Sequence, residues 1–214
     1  ELKEMLGNAG YIMTERLTNS LEFGTPQDRD RILLFGIDKE LCDTLDDFCW
    51  EKYIKYDLKE VKNYSWPTQE EFVVDSEKNC PPNIPKELTV EYFFRRNKVD
   101  KHPNAASYFK PKAGLSKMKV IAEGDDSKKS YKRLHRWRYS PTAAYGNNEV
   151  HLHPYKERRL SVAEALAIQS LPKEFSFPEN MTLTDMFKTI GNGVPFIMSS
   201  GIAKTIYSFL EEVV

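Results

Sequence analysis

Two short stretches in the last third of the chain constrain it most: Arg158-Arg159-Leu160-Ser161-Val162-Ala163-Glu164-Ala165-Leu166-Ala167-Ile168-Gln169-Ser170-Leu171-Pro172, and Gly191-Asn192-Gly193-Val194-Pro195. The first reads as a capped helix. Ser161 can accept from the free amides of the first turn, and Glu164 stands three residues on, at capping-box spacing. Leu160 before the cap and Ala165 one turn in make a weak hydrophobic staple, and Pro172 stops the helix. The second stretch reads as a tight turn opening a long helix from Pro195 to about Glu211. Val194, Ile197, Met198, Ile202, Ile206, Phe209 and Leu210 recur at helical spacing and predict one buried face. Gly-Asn-Gly is open to two readings: a plain loop, or a turn whose backbone approaches a ligand because glycine has no Cβ to hold it off.

The 214 residues suit one large or two small domains, and a hydrophobic fraction of 40% is enough for a core. Net charge is −1, so only the distribution of charge can speak for nucleic acid. Cys42, Cys49 and Cys80 have neither metal-ligand spacing nor an even count, which argues against a disulfide framework and for a reducing setting. No apolar run approaches the ~20 residues that span a bilayer, and no signal peptide opens the chain. Glu1 begins within what reads as a helix, so a fragment, a processed chain or a trimmed chain is expected.

From the N-terminus, residues 1–9 read as the end of an amphipathic helix carrying Leu2, Met5 and Leu6 on one face. Tyr11 to Thr18 reads as a strand, Asn19 to Pro26 as a turn-rich connection, and Arg31 to Gly36 as a short buried strand. This order fits the edge of an α/β sheet with an antiparallel pair. Before the second strand, alternation puts Gln27, Arg29 and Arg31 on one face. Paired guanidinium forks suit a phosphate or a carbonyl-rich base edge, or form a solvated face balanced by Asp28 and Asp30. The acidic run from Asp38 to Glu51 reads as a solvated helix face, and Pro85 to Phe94 as a helix burying Leu88, Tyr92 and Phe93.

Charge turns over further on. Between Arg95 and Arg138, fourteen lysines and arginines meet four carboxylates, with aromatic residues interleaved. That mixture suits a surface that tracks phosphates. Lys110 to Lys129 fits a solvated lysine face equally well. Lys132, Arg133, Arg136 and Arg138 favour DNA, because arginine is the better reader of bases and phosphates. His151 and His153 lack a third neighbouring ligand, so no metal site is expected.

Asn-x-Leu-x-Phe-Gly-x-Pro-Gln-x-Arg-x-Arg at 19–31, the Arg158–Pro172 stretch and the Gly191–Pro195 turn fall in the order of three motifs of the DNA cytosine-5 methyltransferases, which this chain resembles over a little more than half its length. The resemblance implies an α/β fold. Residues 1–38 and 158–214 would form part of an S-adenosylmethionine-binding, Rossmann-like domain, and 39–157 an inserted mixed α+β target recognition domain. It further implies methyl transfer from S-adenosylmethionine to C5 of a cytosine flipped out of double-stranded DNA, in an enzyme of the bacterial restriction-modification type, cytoplasmic and nucleoid-associated. Arg31 matches the arginine that contacts O2 of the cytosine; Arg29 matches its partner, which serves the phosphates and the local structure, and Gln27 stands with them. Asn192, Gly193 and Val194 match positions bordering the cofactor pocket. Thr142 falls in the segment that closes the recognition domain, and Arg158, Glu164 and Gln169 would organise that domain. The chain lacks the family's Gly-rich cofactor loop, its Pro-Cys nucleophile and its Glu-Asn-Val. The resemblance therefore implies a complementary N-terminal half or subunit, or else a DNA-binding module without catalysis. Ala163 and Ala167 stand where many members carry arginine.

Overall fold

The computed structural model describes residues 1–111, 114–128, 130–143, 145 and 150–213. Helix α1 (Leu2–Asn8) leads into β1 (Tyr11–Asn19), which pairs antiparallel with β2 (Asp30–Asp38) in a register from Tyr11 opposite Asp38 to Asn19 opposite Asp30. A 3-10 turn, Ser20–Phe23, connects the strands. Asn19 caps it: its side chain accepts from the Leu21 amide, while Glu22 reaches back to the Asn19 amide at 2.7 Å. Gly24 then closes the turn at φ 91°, a left-handed value that costs glycine little.

The segment expected as a mixed α+β domain has little regular structure. It contains α2 (Leu58–Asn63), α3 (Val90–Asn97), the short α4 (Leu115–Lys119), and two strands of two residues each, β3 (Lys132–Arg133) and β4 (His151–Leu152), paired in parallel. The acidic run after Asp38 forms turns rather than a helix; the first helix beyond it is α2. The C-terminal part is helical: α5 (Val162–Ile168), α6 (Leu183–Asn192) and α7 (Phe196–Val213).

Two expectations about helix ends need correction. Helix α5 stops at Ile168, well before Pro172, because Ser170 takes φ 56° and turns the chain. Gly191 and Asn192 are the last residues of α6, so the glycine-bearing motif ends one helix as well as preceding the next. The capping box of α5 forms as its spacing requires, with Glu164 donating its amide to Ser161 Oγ at 3.3 Å and its carboxylate accepting from the Ser161 amide at 2.7 Å.

The strand from Arg31 is covered on one side only. Ile12, Leu33, Phe35 and Ile37 pack with Ile202, Ile206 and Phe209 of α7, and Phe48 and Trp50 close the cluster. On the opposite side Leu17 and Ile32 face each other across the ladder, 65% and 73% exposed. The inserted segment shares its core with the C-terminal part: Val90, Phe93, Phe94, Val99 and Leu134 pack on Leu160, Ala163, Ala167 and Ile168. Ala163 and Ala167 are buried there, and their small size lets α3 lie close to α5. An arginine at either position would displace that core.

Candidate functional site

The residues from Pro26 to Arg29 run beside the segment from Ser140 to Ala143. The Asp28 amide donates to Ser140 O at 2.8 Å and the Ser140 amide to Pro26 O at 2.9 Å. Side chains extend the seam. Thr142 Oγ1 donates to Asp28 O at 2.7 Å, and the Ala143 amide donates to Gln27 Oε1 at 3.2 Å. Asn19 Nδ2 donates to a carboxylate oxygen of Asp28 at 2.7 Å and to one of Asp30 at 2.7 Å, which bridges the two acids.

Arg29 joins this seam to the end of α6. Its Nη1 donates to Ala143 O at 3.1 Å, and its Nη2 to Gly191 O at 2.7 Å and Gly193 O at 3.1 Å. The last carbonyls of a helix have no partner within it. Arg29 and Gln169, whose Nε2 donates to Ile190 O at 2.7 Å, supply those partners here. A cation at this end also complements the helix dipole. Burial, and then the neighbouring charge of Arg31, lower the Arg29 guanidinium to about 10, so it remains a cation at neutral pH. On the following turn, the Phe196 amide donates to Gln169 O at 2.9 Å and the Ile197 amide to Ser170 Oγ at 3.0 Å. The carbonyls of the turn thus face inward, and the side chains of Asn192 and Val194 face outward, exposed beside the exposed Phe196.

These positions revise several expected contacts. Gln27 and Arg29 share the face of Arg31 in sequence, yet both are buried, 0% and 1% exposed, with their bonds directed at backbone. Neither presents a free fork to a phosphate or a base. Arg31 is half-buried, and its Nη1 donates to the neighbouring Asp30 O at 2.6 Å; among the described residues the other donors of its fork have no partner. Through Arg29, two residues earlier, the strand bearing Arg31 is tied to the turn bearing Asn192.

The basic residues expected to meet DNA divide in the same way. Arg133 is wholly buried and donates to four carbonyls, those of Ile121 at 2.8 Å, Met118 at 2.5 Å, His153 at 2.5 Å and Lys156 at 3.1 Å. Its guanidinium also lies 3.5 Å from the centre of the Phe72 ring. Arg136 is buried against Glu123 and Ser76. In both cases carbonyls of irregular backbone or a buried carboxylate have taken the guanidinium, so neither presents a free fork at the surface. Thr142 spends its hydroxyl on Asp28 O. Lys132 and Arg138 remain half-exposed. The Gln169 side chain braces α6 at Ile190 O.

Arg158 and Glu164 form a forked pair, Nη1–Oε2 2.8 Å and Nη2–Oε1 2.7 Å, beside the buried His153. Burial pushes the Glu164 carboxyl up, but His153 and the Arg158 fork outweigh it and hold the carboxyl well below its ordinary range. Among the described residues no group of three or more His, Cys, Asp or Glu is placed to hold a metal ion, and no helix is long and apolar enough to cross a membrane.

The family model for C-5 cytosine-specific DNA methylase matches residues 1–208. The Type II methyltransferase M.NmeDI of Neisseria meningitidis serogroup C is 59% identical over 210 residues, covering 98% of this chain and 49% of the relative. M.FnuDI of Fusobacterium nucleatum is 26% identical over 213 residues, covering 95% of the chain and 57% of the relative. The chain thus spans about half the length of the curated relatives it matches. Its fold is similar to that of the Entamoeba histolytica methyltransferase EhMeth, with a TM-score of 0.52 and 13% identity over 98% of this chain and 57% of that one. A structure assigned as a DNA modification methyltransferase encoded within an Escherichia coli prophage gives a TM-score of 0.62, with 21% identity over 97% of this chain and 63% of the other. The chain belongs to the C-5 cytosine-specific DNA methylase family.

Proposed function

We propose that the chain is the C-terminal part of a DNA cytosine-5 methyltransferase of the restriction-modification type, acting on a cytosine turned out of double-stranded DNA. The observation that carries this reading is the seam at Arg29, which brings the strand bearing Arg31 and the turn bearing Asn192 to one place. Arg31 contributes the uncommitted donors of its guanidinium to the O2 edge of the pyrimidine, where charge develops when a nucleophile adds to the ring. The nucleophile and the remaining cofactor contacts come from a complementary N-terminal half.

The outer face of the turn fits one wall of an S-adenosylmethionine pocket. Asn192 offers an amide for polar groups, while Val194 and Phe196 offer apolar surface for a purine. When bound, the cofactor supplies an electrophilic methyl on its sulfonium. This chain's part is to orient the cofactor and exclude water on that side. Residues 39–157 carry the DNA-reading surface, of which Lys132 and Arg138 are half-exposed members.

The test is a chimera in which this chain replaces the matching half of the 59% identical meningococcal relative. Incubated with labelled S-adenosylmethionine and unmethylated plasmid DNA, it should label cytosine at C5. Arg31→Ala in that chimera should cut the methylation rate by at least tenfold while changing DNA affinity by less than threefold. A folded chimera that binds DNA and transfers no methyl group would leave a DNA-binding module as the reading.

A further inference from the structure

Two side chains from distant parts of the sequence hold the C-terminal end of α6, but they are not equivalent. Gln169 reaches Ile190 O alone. Arg29 reaches both sides of a junction: Gly191 O and Gly193 O on the turn, and Ala143 O on the segment that follows Arg138. The two sides also touch directly. A Cβ placed on Gly191 would lie 3.1 Å from the Tyr145 backbone nitrogen and 3.7 Å from Ala143 O. Ala143 is held at its amide as well, by Gln27. The Arg29 side chain is 1% exposed, so water and phosphate do not compete for its donors.

We infer that Arg29 is a positioning residue that couples the cofactor turn to the DNA-reading segment, so that S-adenosylmethionine and DNA each strengthen the binding of the other through it. The inference rests on the function proposed above. A guanidinium is planar and its donors stand at fixed angles. A shift of Gly191 or Gly193 on cofactor binding therefore tilts the fork, and the tilt is felt at Ala143. Lysine keeps the charge but has a single nitrogen on a flexible stem, which cannot bridge three carbonyls in a fixed relation. Coupling between two ligands is reciprocal, so the factor by which DNA tightens the cofactor equals the factor by which the cofactor tightens DNA.

The experiment uses the chimera described above and two variants, Arg29→Lys and Gln169→Leu. Dissociation constants for S-adenosylmethionine are measured with and without saturating unmethylated plasmid DNA. The unsubstituted chimera should show at least ~5-fold tightening by DNA. Arg29→Lys should bring that ratio to near one. Gln169→Leu should weaken cofactor binding in both conditions and keep the ratio. A ratio near one without any substitution, or one unchanged by Arg29→Lys, overturns the inference. Hydrogen exchange on the same proteins gives a reading that does not depend on ligand binding. Arg29→Lys should lower protection at the Ala143 and Gly193 amides together, whereas Gln169→Leu should lower it at Gly193 alone. Unchanged protection at Ala143 in Arg29→Lys also overturns the coupling. A chimera that binds no cofactor yet shows the paired loss of protection would contradict the proposed function and leave the clamp standing.

Discussion

Arg136 and Glu123 form a buried ion pair, with Nε 2.8 Å and Nη2 3.0 Å from the two carboxylate oxygens. The Arg136 amide donates to the same carboxylate at 3.0 Å, and Lys78 reaches it at 3.2 Å. Burial pushes the Glu123 carboxyl up, but its bonds to Arg136 outweigh that and hold it below the ordinary range. Removing one partner of such a pair strands the other charge in the interior. Arg136→Ala should therefore destabilise the fold by about 3–5 kcal/mol. The shift of the urea midpoint measures it, and a loss of under 1 kcal/mol would contradict the interior role.

Salt dependence of DNA binding separates surface cations from interior ones. Each phosphate contact contributes a slope of about −0.9 in log K against log salt. Lys132→Ala and Arg138→Ala should each reduce the slope by about one unit if their exposed ends meet phosphates. Binding titrations of the full methylase between low and moderate salt decide this, and an unchanged slope in both variants would move the DNA path away from β3.

Acid should unfold the chain early through its histidines. Burial lowers His151 to about 3, with a smaller push from Lys132. Burial also lowers His153 and His135, partly offset by Glu164 for the first and by Glu123 and Glu70 for the second. A folded-state value below the unfolded ~6.5 means that the unfolded chain takes up the proton first. The stability contributed by these neutral rings is complete above about pH 6.5 and is lost as pH falls toward the folded values. For His151 alone the slope is about 1.4 kcal/mol per pH unit. His151→Phe should flatten the loss between pH 6 and 4, read from urea midpoints at each pH; a parallel curve would show that His151 does not carry it.

Gly201 lies on α7 directly under Phe23. A Cβ at this position would stand 2.4 Å and 2.6 Å from two atoms of that ring, which is 2% exposed. Gly201→Ala should raise helix propensity yet lower stability by about 1–3 kcal/mol through overpacking. An increase in melting temperature would show that the ring moves aside at no cost.

Local patterns were readable where the cause is local. The capping box at Ser161 and Glu164 lies within one helical turn, and the apolar spacing of α7 reports a face that any partner would cover. The antiparallel pair β1–β2 followed from a loosely alternating stretch and a short apolar run on either side of a turn. Alternation placed Gln27, Arg29 and Arg31 on one face, but it did not reveal that two of them are interior. Helix α6 was missed because Gly191 and Asn192 read as turn residues; Met186, Phe187 and Ile190 supply the buried helical face that signalled it.

By itself the sequence determined the order of the motifs, the capped helix and the paired strands, because each depends on residues a few positions apart. Only the tertiary structure decided what the arginines do. A guanidinium has the same formula on a DNA-facing surface and among unpaired carbonyls, and its surroundings come from residues as distant as Arg29 is from Gly191. Where irregular backbone is buried, its carbonyls need donors, and Arg29, Arg133 and Arg136 supply them in the interior.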